Sequence, residues 1–76
     1  MRNILVLGAG VIGSSIASLL SHTGDYSVHL CDSDGAVLKR IGEQNGRILC
    51  LDATNRADLV QYLRQHPIEA IVSALP

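Results

Sequence analysis

The stretch Ile4-Leu5-Val6-Leu7-Gly8-Ala9-Gly10-Val11-Ile12-Gly13 decides the fold. Four consecutive aliphatic residues that stop at a glycine describe a strand buried on both faces, as in the middle of a parallel sheet. The glycines then fall as G-x-G-x-x-G, where a strand gives way to a helix. Gly8 permits a tight turn off the strand, and Gly10 lets a pyrophosphate approach the backbone. Gly13 lets the helix lie close to the sheet, with the small Ala17 one turn later at the same contact. The free N–H groups and positive dipole end of that helix suit phosphate.

Working outward, Ile12, Ile16, Leu19 and Leu20 recur at helical spacing and predict one inward face, with Gly24 as the stop. Val28 to Cys31 reads as a second strand closing on Asp32, nineteen positions after Gly13. A dinucleotide fold needs a carboxylate there to accept the adenosine ribose hydroxyls. Ser33 or Asp34 caps a second helix with Val37, Leu38 and Ile41 inward, and Asn45-Gly46 turns the chain. Ile48 to Leu51 predicts a third strand closing on Asp52. Thr54 or Asn55 caps a third helix whose buried stripe is Leu59, Val60 and Leu63, and Pro67 ends it. Ala70 to Val72 is the fourth strand. Asp52 has two readings of equal standing: a partner for the adenine amino group, or a turn residue that helps start the third helix.

The order β-α-β-α-β-α-β implies a Rossmann-type three-layer α/β fold with a parallel four-stranded sheet in the order 3-2-1-4. Residues 1–76 are expected to form one partial dinucleotide-binding domain, because a full Rossmann sheet has six strands. In that order the fourth strand leaves an open apolar edge, which predicts a homodimer joined there.

Composition narrows the function. The 76 residues are 47% hydrophobic and 17% charged, which excludes a disordered chain. Six basic against seven acidic residues, with Tyr26 and Tyr62 the sole Phe, Tyr or Trp side chains, give no electrostatic or stacking basis for nucleic-acid binding. Glycines and serines break up the N-terminal apolar run, so neither a signal peptide nor a membrane span is expected, and the chain is assigned to the cytoplasm. Cys31 and Cys50 read as two buried, reduced thiols. The cysteines and His22, His29 and His66 share no metal-ligand spacing. His29 reads as a satisfied strand histidine, His22 and His66 as solvent-facing helix-end residues. Lys39, Arg40, Arg56 and Arg64 read as solvated helix charges.

Three stretches, Ile4 to Gly13, Leu51 to Asn55 (L-D-A-T-N) and Ala70 to Pro76 (A-I-V-S-A-L-P), make the chain resemble the N-terminal cofactor domain of the saccharopine dehydrogenase-like oxidoreductases. The resemblance implies that Gly8, Gly10, Val11, Ile12 and Gly13 contact pyrophosphate, Asp32 the ribose, and Asp52 with Ala53 the adenine. Ala74 and Leu75 then line the groove, and Ala9 and Ser33 complete the expected cofactor-binding set. Members of that family continue into further strands and a substrate domain, so catalysis by these residues alone is not expected. Two other classes share the glycine pattern: nucleotide-sensing regulatory domains of potassium transport systems, and FAD-binding segments of flavoproteins. The absence of Arg at positions 33 to 35, with Asp32 and Asp34 facing any 2′-phosphate, predicts NAD in preference to NADP.

Overall fold

A computed structural model describes residues 2–42 and 46–75. The elements are β1 (Arg2–Leu7), α1 (Val11–His22), β2 (Tyr26–Asp32), α2 (Gly35–Ile41), β3 (Arg47–Cys50), α3 (Arg56–Gln65) and β4 (Ile68–Ser73). All strand pairings are parallel, and the sheet order is β3-β2-β1-β4. Both expectations, the element order and the strand order, are met.

The alternation of the central strands divides the core in two, because successive strand residues point to opposite faces. Ile4, Val6, Val28 and Leu30 pack on one face with Ala9, Ala17 and Leu38, backed by Ile16, Leu20, Val37 and Ile41. Leu5, Leu7 and Cys31 pack on the other with Leu59, Tyr62 and Leu63 of α3. Two helices therefore cover one face and a single helix the other.

The caps follow their chemistry. The Asp34 side chain accepts the Ala36 N–H at 2.9 Å at the start of α2, and Asn55 accepts the Asp58 N–H at 3.3 Å at the start of α3. Thr23 closes α1, and Gly24 follows with φ 78°. Asn45 of the expected Asn-Gly turn lies outside the described residues.

Four expectations need correction. On α1, Ile12 and Leu19 are 69% and 72% exposed, whereas Gly13 and Ala17 are buried. The helix is turned so that its small-residue stripe meets the sheet, flanked by Ile16 and Leu20. On α3, Tyr62 joins Leu59 and Leu63 in the packed stripe in place of Val60. Cys50 is exposed at the end of the edge strand β3, while Cys31, in the central β2, is buried. His66 is half-buried, stacked on the Tyr62 ring at 4.1 Å.

Buried His29 is held from both sides. Asn3 donates its amide to the Pro67 carbonyl at 3.3 Å, so Asn3 Oδ1 faces His29 Nε2, also at 3.3 Å. That arrangement makes Nε2 the donor and leaves His29 Nδ1 to accept from the Tyr62 hydroxyl. One chain of bonds thus links β1, β2, α3 and the turn before β4.

Candidate nucleotide-binding site

The site is assembled where the strands end. Gly8 leaves β1 with φ 99°, a left-handed conformation that glycine adopts without steric cost. The segment after β4 presses on the same point. A Cβ at Gly8 would lie 3.1 Å from the Ala74 carbonyl and 3.3 Å from the Leu75 side chain. Ala74 is fixed there by its N–H, which donates to the Leu7 carbonyl at 2.7 Å.

The three glycines meet different surroundings. A Cβ at Gly13 would overlap the Gly8 carbonyl oxygen, so the first turn of α1 rests directly on the loop backbone. A Cβ at Gly10 would meet nothing within 4 Å, and its φ of −70° suits any residue. The space over Gly10 is therefore open to a ligand. At the head of α1 the first α-helical bond is Ser14 N–H to the Gly10 carbonyl at 2.9 Å. The N–H groups before it are the ordinary orphans of a helix start, at the positive end of the dipole.

Asp32, half-buried at the end of β2, reaches across to the loop. Its Oδ2 accepts the Ala9 N–H at 2.8 Å, and its Oδ1 accepts the Asp34 N–H at 2.8 Å. The Gly8 N–H donates to the Cys31 carbonyl at 2.7 Å, so two successive loop N–H groups are tied to the end of β2. Asp52 builds the turn after β3. Its Oδ1 accepts both the Thr54 N–H at 2.9 Å and the Thr54 hydroxyl at 2.6 Å. The hydroxyl bond first, then the N–H bond, hold the Asp52 carboxyl below its usual pKa. The Asp52 carbonyl also accepts the Asn55 N–H at 2.9 Å. Asp52 therefore shapes the approach to α3, and Asn55 is the cap.

A cleft of about 110 Å³ opens between these segments, lined by Gly8, Cys31, Asp32, Ser33, Leu51, Asp52, Ala53, Thr54 and Leu75. Six of the residues expected from sequence meet there: Gly8, Asp32, Ser33, Asp52, Ala53 and Leu75. Ala9, Gly10, Val11, Ile12 and Gly13 lie beside it, along the loop and the start of α1, and Ala74 backs the loop. Cys31, Leu51 and Thr54 were not anticipated. For Thr54 a signal was present, since Asp followed two residues later by Thr is an Asx-turn pattern. Cys31 is chemically quiet. Burial first, then the nearby carboxylates and Cys50, push its thiol up to about 11, and it donates to the Leu51 carbonyl at 3.2 Å. Among the described residues no group of three or more His, Cys, Asp or Glu is placed to hold a metal ion. No described helix is long and apolar enough to cross a membrane.

Four parallel strands in the order β3-β2-β1-β4, with helices between them and on both faces, define a Rossmann-type α/β domain. Solved structures share it. A saccharopine dehydrogenase (L-Glu forming) from Saccharomyces cerevisiae superposes with a TM-score of 0.83 at 21% identity, over 100% of this chain and 17% of that one. A UDP-glucose-4-epimerase from Stenotrophomonas maltophila, solved with bound NAD, gives 0.76 at 28% identity, over 99% of this chain and 24% of that one. A dTDP-glucose 4,6-dehydratase from Bacillus anthracis, in complex with NAD, gives 0.77 at 23% identity, covering 99% and 27%. The chain thus spans about a quarter or less of the first two. No curated protein matches the sequence. The chain belongs to the family of saccharopine dehydrogenase NADP-binding domains, whose model matches residues 4–76.

Proposed function

We propose that the chain binds the ADP half of NAD, as the cofactor-binding portion of a saccharopine dehydrogenase-like oxidoreductase. The observation that carries this reading is the position of the cleft. From β1 the chain moves outward to β2 and β3, then returns to β4 on the other side of β1. In open α/β sheets the crevice at such a reversal, outside the carboxyl ends of the strands, is where ligands bind. The residues fit the cofactor. The open space over Gly10 would take the pyrophosphate, with the N–H groups of Val11, Ile12 and Gly13 at the head of α1 as its donors. The Asp32 carboxylate, with about four lone-pair sites of which two are used, accepts ribose hydroxyls on the remainder. Adenine enters between Ser33 and the Asp52-Ala53 turn, with Ala74 and Leu75 closing the groove. At about 110 Å³ the cleft is smaller than a whole ligand pocket of roughly 300 Å³ or more, so it cradles one part of the cofactor.

NAD is the cofactor proposed, although NADP stands in the family's name. A 2′-phosphate here meets the carboxylates of Asp32 and Asp34, and no Arg stands at positions 33 to 35 to receive it. Calorimetric titration checks this: NAD binds more tightly than NADP, and Asp32→Ala weakens NAD and narrows the gap. Tighter binding of NADP would overturn the assignment. Association of two copies through the open edge of β4 and a cytoplasmic setting complete the proposal.

A further inference from the structure

Asp32 stands in the proposed site as a ribose acceptor, yet its carboxylate already has two partners within the protein. We propose that Asp32 is also a positioning residue for the glycine loop, fastening the loop and the start of α2 in their binding geometry before a cofactor arrives. The inference deepens the cofactor reading and rests on it for the identity of the ligand.

The bonds divide the loop's donors into two groups. Gly8 N–H goes to the Cys31 carbonyl and Ala9 N–H to Asp32 Oδ2, both directed inward to β2. From Gly10 onward the N–H groups stand at the open head of α1. Ala9 is only 1% exposed with the Asp32 side chain in place, so the carboxylate both accepts its N–H and shields it from solvent in the neighbouring cleft. The other oxygen bonds the Asp34 N–H, one residue before α2, and Asp34 in turn caps that helix. Loop, strand end and second helix are therefore joined at one carboxylate. Charge-assisted bonds of this kind are the stronger class. An amide side chain cannot replace it, because it offers one acceptor oxygen and turns an NH₂ donor toward the second N–H.

The opposing electrostatic effect makes the test sharp. Asp32 is a negative charge beside an anion site, so its removal should by itself tighten binding of a bare anion. Inorganic pyrophosphate, which has no ribose, is the probe. We expect Asp32→Ala to weaken pyrophosphate binding in spite of the lost repulsion, with Asp32→Asn intermediate. Hydrogen exchange followed by NMR on the cofactor-free chain gives an independent signature. Ala9 N–H should be protected relative to Val11 and Ile12, and Asp32→Ala should lower that protection by about ten-fold. Gly8 N–H should keep its protection, which separates local release from unfolding. If Asp32→Ala does not fold, Asp32→Asn carries both comparisons.

An Ala9 amide exchanging as fast as Val11 in the parent would overturn the proposal. So would a variant that binds pyrophosphate as well as the parent while losing NAD, a result that leaves Asp32 as a ribose contact and the cofactor reading intact. A parent that binds neither NAD nor pyrophosphate fails the cofactor reading, and Ala9 exchange then decides the positioning role alone.

Discussion

At the scale of single residues, Gly10 and Gly13 show how one motif carries two kinds of constraint. Gly13 is required by the protein itself, because any Cβ there collides with the Gly8 carbonyl. Gly13→Ala should destabilise the chain by about 3 kcal/mol or more, above the usual cost of overpacking because the clash is with backbone, seen as a lower urea midpoint without any ligand. An unchanged midpoint would mean that α1 does not rest on the loop. Gly10 has no such protein contact, so a side chain there should be tolerated by the fold itself. The glycine spacing alone anticipated the close contact at Gly13, since it reports backbone approach directly. The sequence misjudged Cys50, because an apolar run from Ile48 to Leu51 does not reveal that it falls on an edge strand.

At the scale of elements, the strands and caps were legible, but the rotation of α1 was not. The spacing of Ile12, Ile16, Leu19 and Leu20 describes a plausible face. The structure turns the helix so that Gly13 and Ala17 face the sheet, a choice fixed by the loop and not by hydrophobicity. At about 100° per residue, Ile12 and Leu19 then both lie roughly 100° or more from Gly13. The bonds around α3 have a measurable consequence. Burial, and then the positive charges of Arg47 and His66, lower the pKa of His29 from its ordinary 6.5. The hydroxyl of Tyr62, whose own pKa is raised mainly by burial, donates to the neutral ring. A depressed folded-state pKa means that the unfolded chain binds the proton more readily. The stability from neutral His29 is thus complete above 6.5 and is lost as the pH falls through the lowered value. Thermal unfolding across that range should show a falling midpoint, and His29→Gln should flatten it. An equally steep fall in the variant would assign the effect elsewhere.

At the scale of the whole molecule, the sheet order followed from alternating elements and right-handed crossovers. The unequal covering of its faces came with it. β4 lies at an edge, where Ile71 is 48% exposed and Ala70 is also exposed. Exposed apolar edges pair with other strands, and isologous pairs are the commonest assemblies. Light scattering at micromolar concentration should therefore return the mass of a dimer for the 76-residue chain, and Ile71→Lys should return a monomer. A monomeric parent would show that the edge is tolerated.

In the proposed function the cleft at the strand ends and the open space over Gly10 beside it together bind a dinucleotide. The most direct measurement is calorimetric titration of NAD into the parent chain and into Gly10→Val, with circular dichroism of both. Nothing lies within 4 Å of a Cβ at Gly10, so the variant should fold as the parent does. Its side chain fills the space the pyrophosphate needs, so binding seen in the parent should be abolished. A folded variant that binds NAD with the parent's affinity would contradict the account.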